Sequence, residues 1–149
     1  MSNPSIDIPN LLYRYANFID AGDFASAAKL FDKGCVEAEG YEIKGRENIS
    51  QLWKDWIFLY DDVPQTRHLI TNPIISISDD LTNASCQSQW TVLQATESLP
   101  LQPIATGRYD DNFAYADGAW YFTRRKYDGI DLMGDMSQHT RKALKETEE

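Results

Sequence analysis

The 149-residue sequence is 42% hydrophobic and 12% aromatic, enough for one domain that buries roughly 70% of its unfolded surface without metal or disulfide staples. Lys and Arg number 14 against 23 Asp and Glu, a formal charge of −9; so acidic a chain lacks the clustered cations that grip phosphate backbones, so nucleic acid and anionic membrane surfaces are not expected partners. No apolar run approaches the ~20 residues of a membrane span, and residues 1–7 lack a basic stretch followed by an apolar one, so a cytoplasmic domain is expected. Cys35 and Cys86, with no CxxC and no adjacent histidine, are expected as reduced thiols.

In chain order, Ile8, Leu11, Leu12, Tyr15, Ala16 and Ile19 follow helical spacing, and predict a helix over residues 8–19 with Pro9 in its first turn and Gly22 closing it. Asp23 caps a second helix with Phe24, Ala27, Ala28 and Phe31 inward. Residues 35–39 read as a short strand. A third helix spans roughly 46–60, with Ile49, Leu52, Trp53, Trp56 and Ile57 as its apolar stripe and Pro64 blocking continuation.

Beyond Pro64 the period changes to two. Four long strands are predicted over 67–78, 84–96, 104–115 and 119–130, with turns at Asp79-Asp80 through Thr82-Asn83 and at Asp117-Gly118. The charged end from Ser137 is expected as a short helix or a frayed tail, leaving a core over about 8–136 of one domain, 1–149. Helices first and long antiparallel strands after them argue an α+β fold, a curved sheet wrapped around three helices with a ligand cavity inside the resulting cone.

Phosphate-cradling loops and nucleophile elbows are missing from the sequence. His68 and His139 are the only histidines, 71 residues apart and without metal-ligand spacing, so neither a metal nor another cofactor is expected. Acid–base chemistry remains. Alternation places His68, Ile70 and Asn72 on one strand face; facing the cone, His68 would be an imidazole suited to proton transfer, and otherwise a hydrogen-bonded sheet histidine. Asp20 sits at a helix C-terminus, where the dipole disfavours a carboxylate, and so either finds a donor or points to solvent. Tyr15 lies on the inward stripe, as a core aromatic or a hydroxyl donor. Five residues separate it from Asp20, so the two do not share a row of the helix. The polar groups Gln87, Gln89, Arg108, Asp110, Asn112, Arg124, Arg125 and Lys126 are expected mostly at solvent or subunit contacts, and the large residues of the sheet's second face suggest a homo-oligomer, a dimer before a trimer.

The segments Leu12-Tyr13-Arg14-Tyr15-Ala16-Asn17-Phe18-Ile19-Asp20-Ala21-Gly22-Asp23, Ile43-Lys44-Gly45-Arg46-Glu47-Asn48-Ile49, Thr66-Arg67-His68, Gly107-Arg108-Tyr109-Asp110-Asp111, Gly118-Ala119-Trp120-Tyr121-Phe122 and Gly134-Asp135-Met136-Ser137 together resemble the SnoaL-like family. That family belongs to the cone-shaped, cystatin-like α+β superfamily of nuclear transport factor 2. The resemblance covers roughly residues 8–139 and implies the fold more strongly than any one activity. Scytalone dehydratase and bile acid 7α-dehydratase use a strand histidine oriented by a helix aspartate, matched here by His68 and Asp20, and Tyr15 matches the helix tyrosine of the bile acid enzyme. Ile19 replaces the scytalone enzyme's tyrosine before the aspartate, and Leu93 stands near its second histidine, which argues against scytalone itself. Ketosteroid isomerase shares the tyrosine, but its general-base position falls at about Ala38. The resemblance therefore implies a cofactor-independent dehydratase-like lyase or isomerase acting on an apolar cyclic small molecule through Tyr15, Asp20 and His68. The alternative is a non-catalytic ligand-binding or subunit-pairing domain, such as the small subunit of a ring-hydroxylating dioxygenase.

Overall fold

Asn3 starts the first helix: its side-chain oxygen accepts the Ser5 N–H at 3.1 Å, and Pro4 supplies the fixed φ of a first helical position. In the computed structural model, which describes residues 1–141, helix α1 therefore runs Pro4–Asp20 and begins four residues before the predicted start. Pro9 lies inside it rather than in its first turn; the lost bond falls on the carbonyl of Ser5, an exposed residue near the end. Gly22, at φ +72°, closes α1: its N–H donates to Ile19 and that of Asp23 to Phe18, a paired arrangement that satisfies the last carbonyls. Asp23 accepts the Ser26 N–H at 3.0 Å and opens α2, Phe24–Lys29.

Strand β1, Cys35–Ala38, turns through Glu39 and Gly40, both at positive φ, into a short strand β2, Tyr41–Ile43, which the sequence pattern did not announce. Helix α3 is Arg46–Trp56 and stops four residues before its predicted end. Ile57 turns extended to bridge Thr140, so the continuing apolar pattern serves a strand-like contact. The four long strands are β3, Thr66–Ile77, β4, Asn83–Thr96, β5, Leu99–Ala116, and β6, Ala119–Met133. Asp117 and Gly118, both at positive φ, make the β5–β6 turn as the dipeptide predicts.

The sheet order is β2-β1-β6-β5-β4-β3. All neighbours are antiparallel except β1 and β6, which are parallel. Register shifts along β3, β4, β5 and β6 bend the sheet around the helices. Gly107 marks the closest approach at one of them: a Cβ there would lie 2.3 Å from the Trp90 ring and 2.4 Å from the Gly129 carbonyl.

Two bulges set which residues share a face, and the first corrects the expected placing of Asn72. At Asn72, φ +53°, the register slips between Thr71 and Ile74, so Asn72 leaves the His68 face and bonds Gln89 on the opposite one. Between Phe113–Phe122 and Asn112–Arg124 a second slip puts Arg125, rather than Arg124, under the helices. The core between helices and sheet holds Ile8, Leu12, Tyr15, Ile19, Phe31, Ile49, Trp53, Phe113 and Phe122, all nearly or fully buried. Residues 137–141 are docked rather than frayed, with His139 buried and Arg141 donating to the carbonyls of Lys54 and Ile57; the rest of the expected tail lies outside the described residues.

Candidate active site

Asp20 is the last residue of α1, and β3 runs past it with Thr66 and His68 on the near face. The carboxylate collects three donors. Thr66 Oγ1 donates to Oδ1 at 2.8 Å, the His68 backbone N–H donates to Oδ2 at 2.7 Å, and His68 Nδ1 meets Oδ1 at 2.5 Å. The Asp20 and His68 side chains keep only 11% and 9% of their surface exposed. These donors offset the unfavourable helix terminus and fix the carboxylate in place. Because a carboxylate only accepts, Nδ1 carries the hydrogen, and it is the form of the ring with its lone pair on Nε2 that can take a proton. Thr66 shares the His68 face by simple alternation and was within reach of sequence reasoning, which did not single it out.

His139, which the sequence separates from His68 by 71 positions, lies with its ring centroid 6.4 Å from that of His68 and nearly edge-on to it, at 65°. It is 6% exposed, and its Nδ1 has no hydrogen-bond partner. Burial pushes its imidazole down to about 4; His68 adds to this and Asp20 opposes it. No periodicity marks such a residue, which arrives in a segment without regular structure.

Tyr15 bonds a different set of partners. Its hydroxyl lies 2.5 Å from that of Tyr127, which also accepts the Trp53 indole N–H at 3.1 Å. Among the described residues no hydrogen bond joins Tyr15 to Asp20 or His68. Burial pushes the Tyr15 phenol well above its ordinary range, as do the Tyr127 and Tyr109 hydroxyls, against Arg125; it is a neutral hydroxyl that can donate.

Beneath these rings sits a fully buried ion pair. Arg125 Nε and Nη2 donate to the two Asp111 oxygens at 2.8 Å each, and the guanidinium lies 3.7 Å from the centre of the Tyr109 ring and 4.4 Å from that of Tyr15. Burial alone would lower the Arg125 pKa; Asp111 overrides it and holds the guanidinium above its ordinary pKa. Arg125 thus corrects the expectation of a solvent or subunit contact, whereas Arg108 stays outside and pairs with Asp131 at 2.9 Å. Cys86, pushed up to about 11 chiefly by burial, is a poor nucleophile.

Two hollows stand out. One of about 300 Å³ is bordered by Asp20, Thr66, Gln94 and Leu101; another of about 320 Å³ lies on the outer sheet face between Asn72, Arg108, Asp110 and Asp128. Neither is lined by His68 or Tyr15. Among the described residues no three His, Cys, Asp or Glu side chains are placed to hold a metal ion, and no helix is long and apolar enough to cross a membrane.

Residues 6–126 match the SnoaL-like domain. The chain belongs to that family. No curated protein matches it. Among solved structures, a Nostoc punctiforme protein of unknown function with a cystatin-like fold is 20% identical, with a TM-score of 0.71 over 89% of this chain and 94% of that one. A Mycobacterium tuberculosis protein of unknown function is 23% identical, with a TM-score of 0.69 over 87% and 77%. A candidate scytalone dehydratase of Novosphingobium aromaticivorans is 21% identical, with a TM-score of 0.66 over 87% and 85%. At these identities the likenesses establish the fold, and the SnoaL-like chain's chemistry rests on its own residues.

Proposed function

We propose that this SnoaL-like domain is a cofactor-independent acid–base lyase or isomerase of dehydratase type, acting on an apolar cyclic small molecule. The observation that carries the reading is the Asp20–His68 pair, a strand imidazole held by its ring and its backbone N–H on one carboxylate. In this reading His68 Nε2 removes a proton next to a carbonyl, Asp20 orients the ring and stabilises the imidazolium, and Tyr15 donates a hydrogen bond to a carbonyl or leaving hydroxyl. The candidate scytalone dehydratase among the structural relatives is consistent with this chemistry.

The test is dehydration of a panel of cyclic β-hydroxyketones, followed by the absorbance of the enone formed. Wild-type turnover should fall by about 10²–10⁴-fold in His68→Ala, the worth of a general base. Turnover that His68→Ala leaves unchanged overturns the proposal.

A second reading, a non-catalytic binding or subunit-pairing domain, draws on the aromatic fill of the interior. Trp53 is 3% exposed, with its ring centroid 5.8 Å from that of Tyr15. It is favoured if the whole panel is bound without turnover.

A further inference from the structure

His139 has no part in the reaction described above, yet its buried ring lies beside the His68 imidazole. Its segment contains neither helix nor strand and is held by hydrogen bonds to residues 56–60 and to Gln94. Gln138 O accepts from Tyr60 Oη at 2.6 Å and from Gln94 Nε2 at 3.0 Å; His139 O accepts the Phe58 N–H at 2.9 Å; Thr140 bridges Ile57; and the Arg141 N–H donates to Trp56 O at 2.9 Å. All this delivers a polar ring into a buried place and leaves its Nδ1 without a partner. Buried polar atoms are ordinarily satisfied, and the exceptions call for an occupant or a role. The His68 ring, bonded to Asp20, stands nearly edge-on to that of His139, and Arg141 is turned away to the carbonyls of Lys54 and Ile57.

We propose that His139 is a specificity-determining residue of this site, its imidazole hydrogen-bonding a carbonyl or hydroxyl oxygen of an uncharged cyclic ligand seated against His68. The inference rests on the reading of His68 and Asp20 given above. A ligand seated against His68 comes within reach of the His139 ring, whose centroid is 6.4 Å from that of His68. The His139 Nδ1, which has no hydrogen-bond partner, is the atom left to bond that ligand. Burial keeps this imidazole neutral near pH 7, so it can donate or accept one hydrogen bond but cannot neutralise a carboxylate. The site should therefore favour a ketone or alcohol over the carboxylate of the same ring size.

The experiment follows the ring resonances of both histidines by NMR in the full-length protein, titrated with cyclohexanone and separately with cyclohexanecarboxylate. The ketone should shift both rings, and the carboxylate should bind at least about tenfold more weakly. His139→Phe, which keeps a ring in the same space, should weaken ketone binding by about tenfold while retaining the His68 ring N–H signal toward Asp20; His139→Asn, which keeps a polar group, should recover part of the affinity. The inference is overturned if the ketone shifts neither ring or His68 alone, if the carboxylate binds as tightly as the ketone, or if both His139 variants bind the ketone as wild type does. Failure of the underlying reading looks different: Asp20→Asn would then leave the His68 ring signal and the ketone affinity as in wild type.

Discussion

Asp20 holds His68 twice, its Oδ2 accepting the backbone N–H at 2.7 Å and its Oδ1 meeting ring Nδ1 at 2.5 Å. One carboxylate at the end of a helix thus sets both where the strand lies and which ring nitrogen carries the hydrogen. Replacing Asp20 with Asn keeps the shape but leaves one accepting oxygen for three donors. Hydrogen bonds to a charged group contribute about 1.5–3 kcal/mol, so Asp20→Asn should lower stability by about that amount in urea unfolding. It should also abolish the fixed Nδ1–H tautomer in nitrogen NMR. A variant with wild-type stability and tautomer would show that the pair does not orient the ring.

The buried Arg125–Asp111 pair makes a sharper stability prediction. Removing one partner strands the other charge where no water reaches it, at a cost of about 3–5 kcal/mol. Arg125→Met alone should approach unfolding, whereas Arg125→Met combined with Asp111→Leu should recover most of the loss, because the ring stack around the guanidinium can close on apolar atoms. A double variant no more stable than the single one would place the contribution of Arg125 in its contacts with Tyr109 and Tyr15 instead.

His139 links stability to pH. Its folded pKa of about 4 lies below the ordinary 6.5, so between these values the unfolded chain binds more protons than the folded one. Stability should therefore rise with pH across that window and be lost as pH falls through it, by up to about 3 kcal/mol from this group. Urea unfolding at about pH 4.5 and about pH 7 should show a larger difference in wild type than in His139→Phe. Equal differences would place the acid sensitivity in the carboxylates.

Much of the fold is legible in the sequence because apolar spacing reports directly which faces are buried. The switch from helical to two-residue period at Pro64, the Asp117-Gly118 turn and the Asp23 cap all appear where the pattern places them. Errors arise where geometry slips by one residue. The irregularity at Asn72–Pro73 exchanges the two faces of β3, and alternation cannot foresee a bulge. Asp20 and His68 could be paired through the family resemblance and the awkward helix terminus. His139 could not, because long-range docking of an irregular segment leaves no local signal, and Tyr127 hides in the charged run Arg124 to Asp128 in the middle of β6.

The claim that His68 moves a proton is tested most directly by solvent exchange at the carbon next to the carbonyl of a cyclic ketone in deuterium oxide, followed by NMR. Wild-type protein should catalyse that exchange, and His68→Ala should reduce it by about 10²–10⁴-fold with its melting temperature little changed. Exchange by His68→Ala at the wild-type rate would contradict the account.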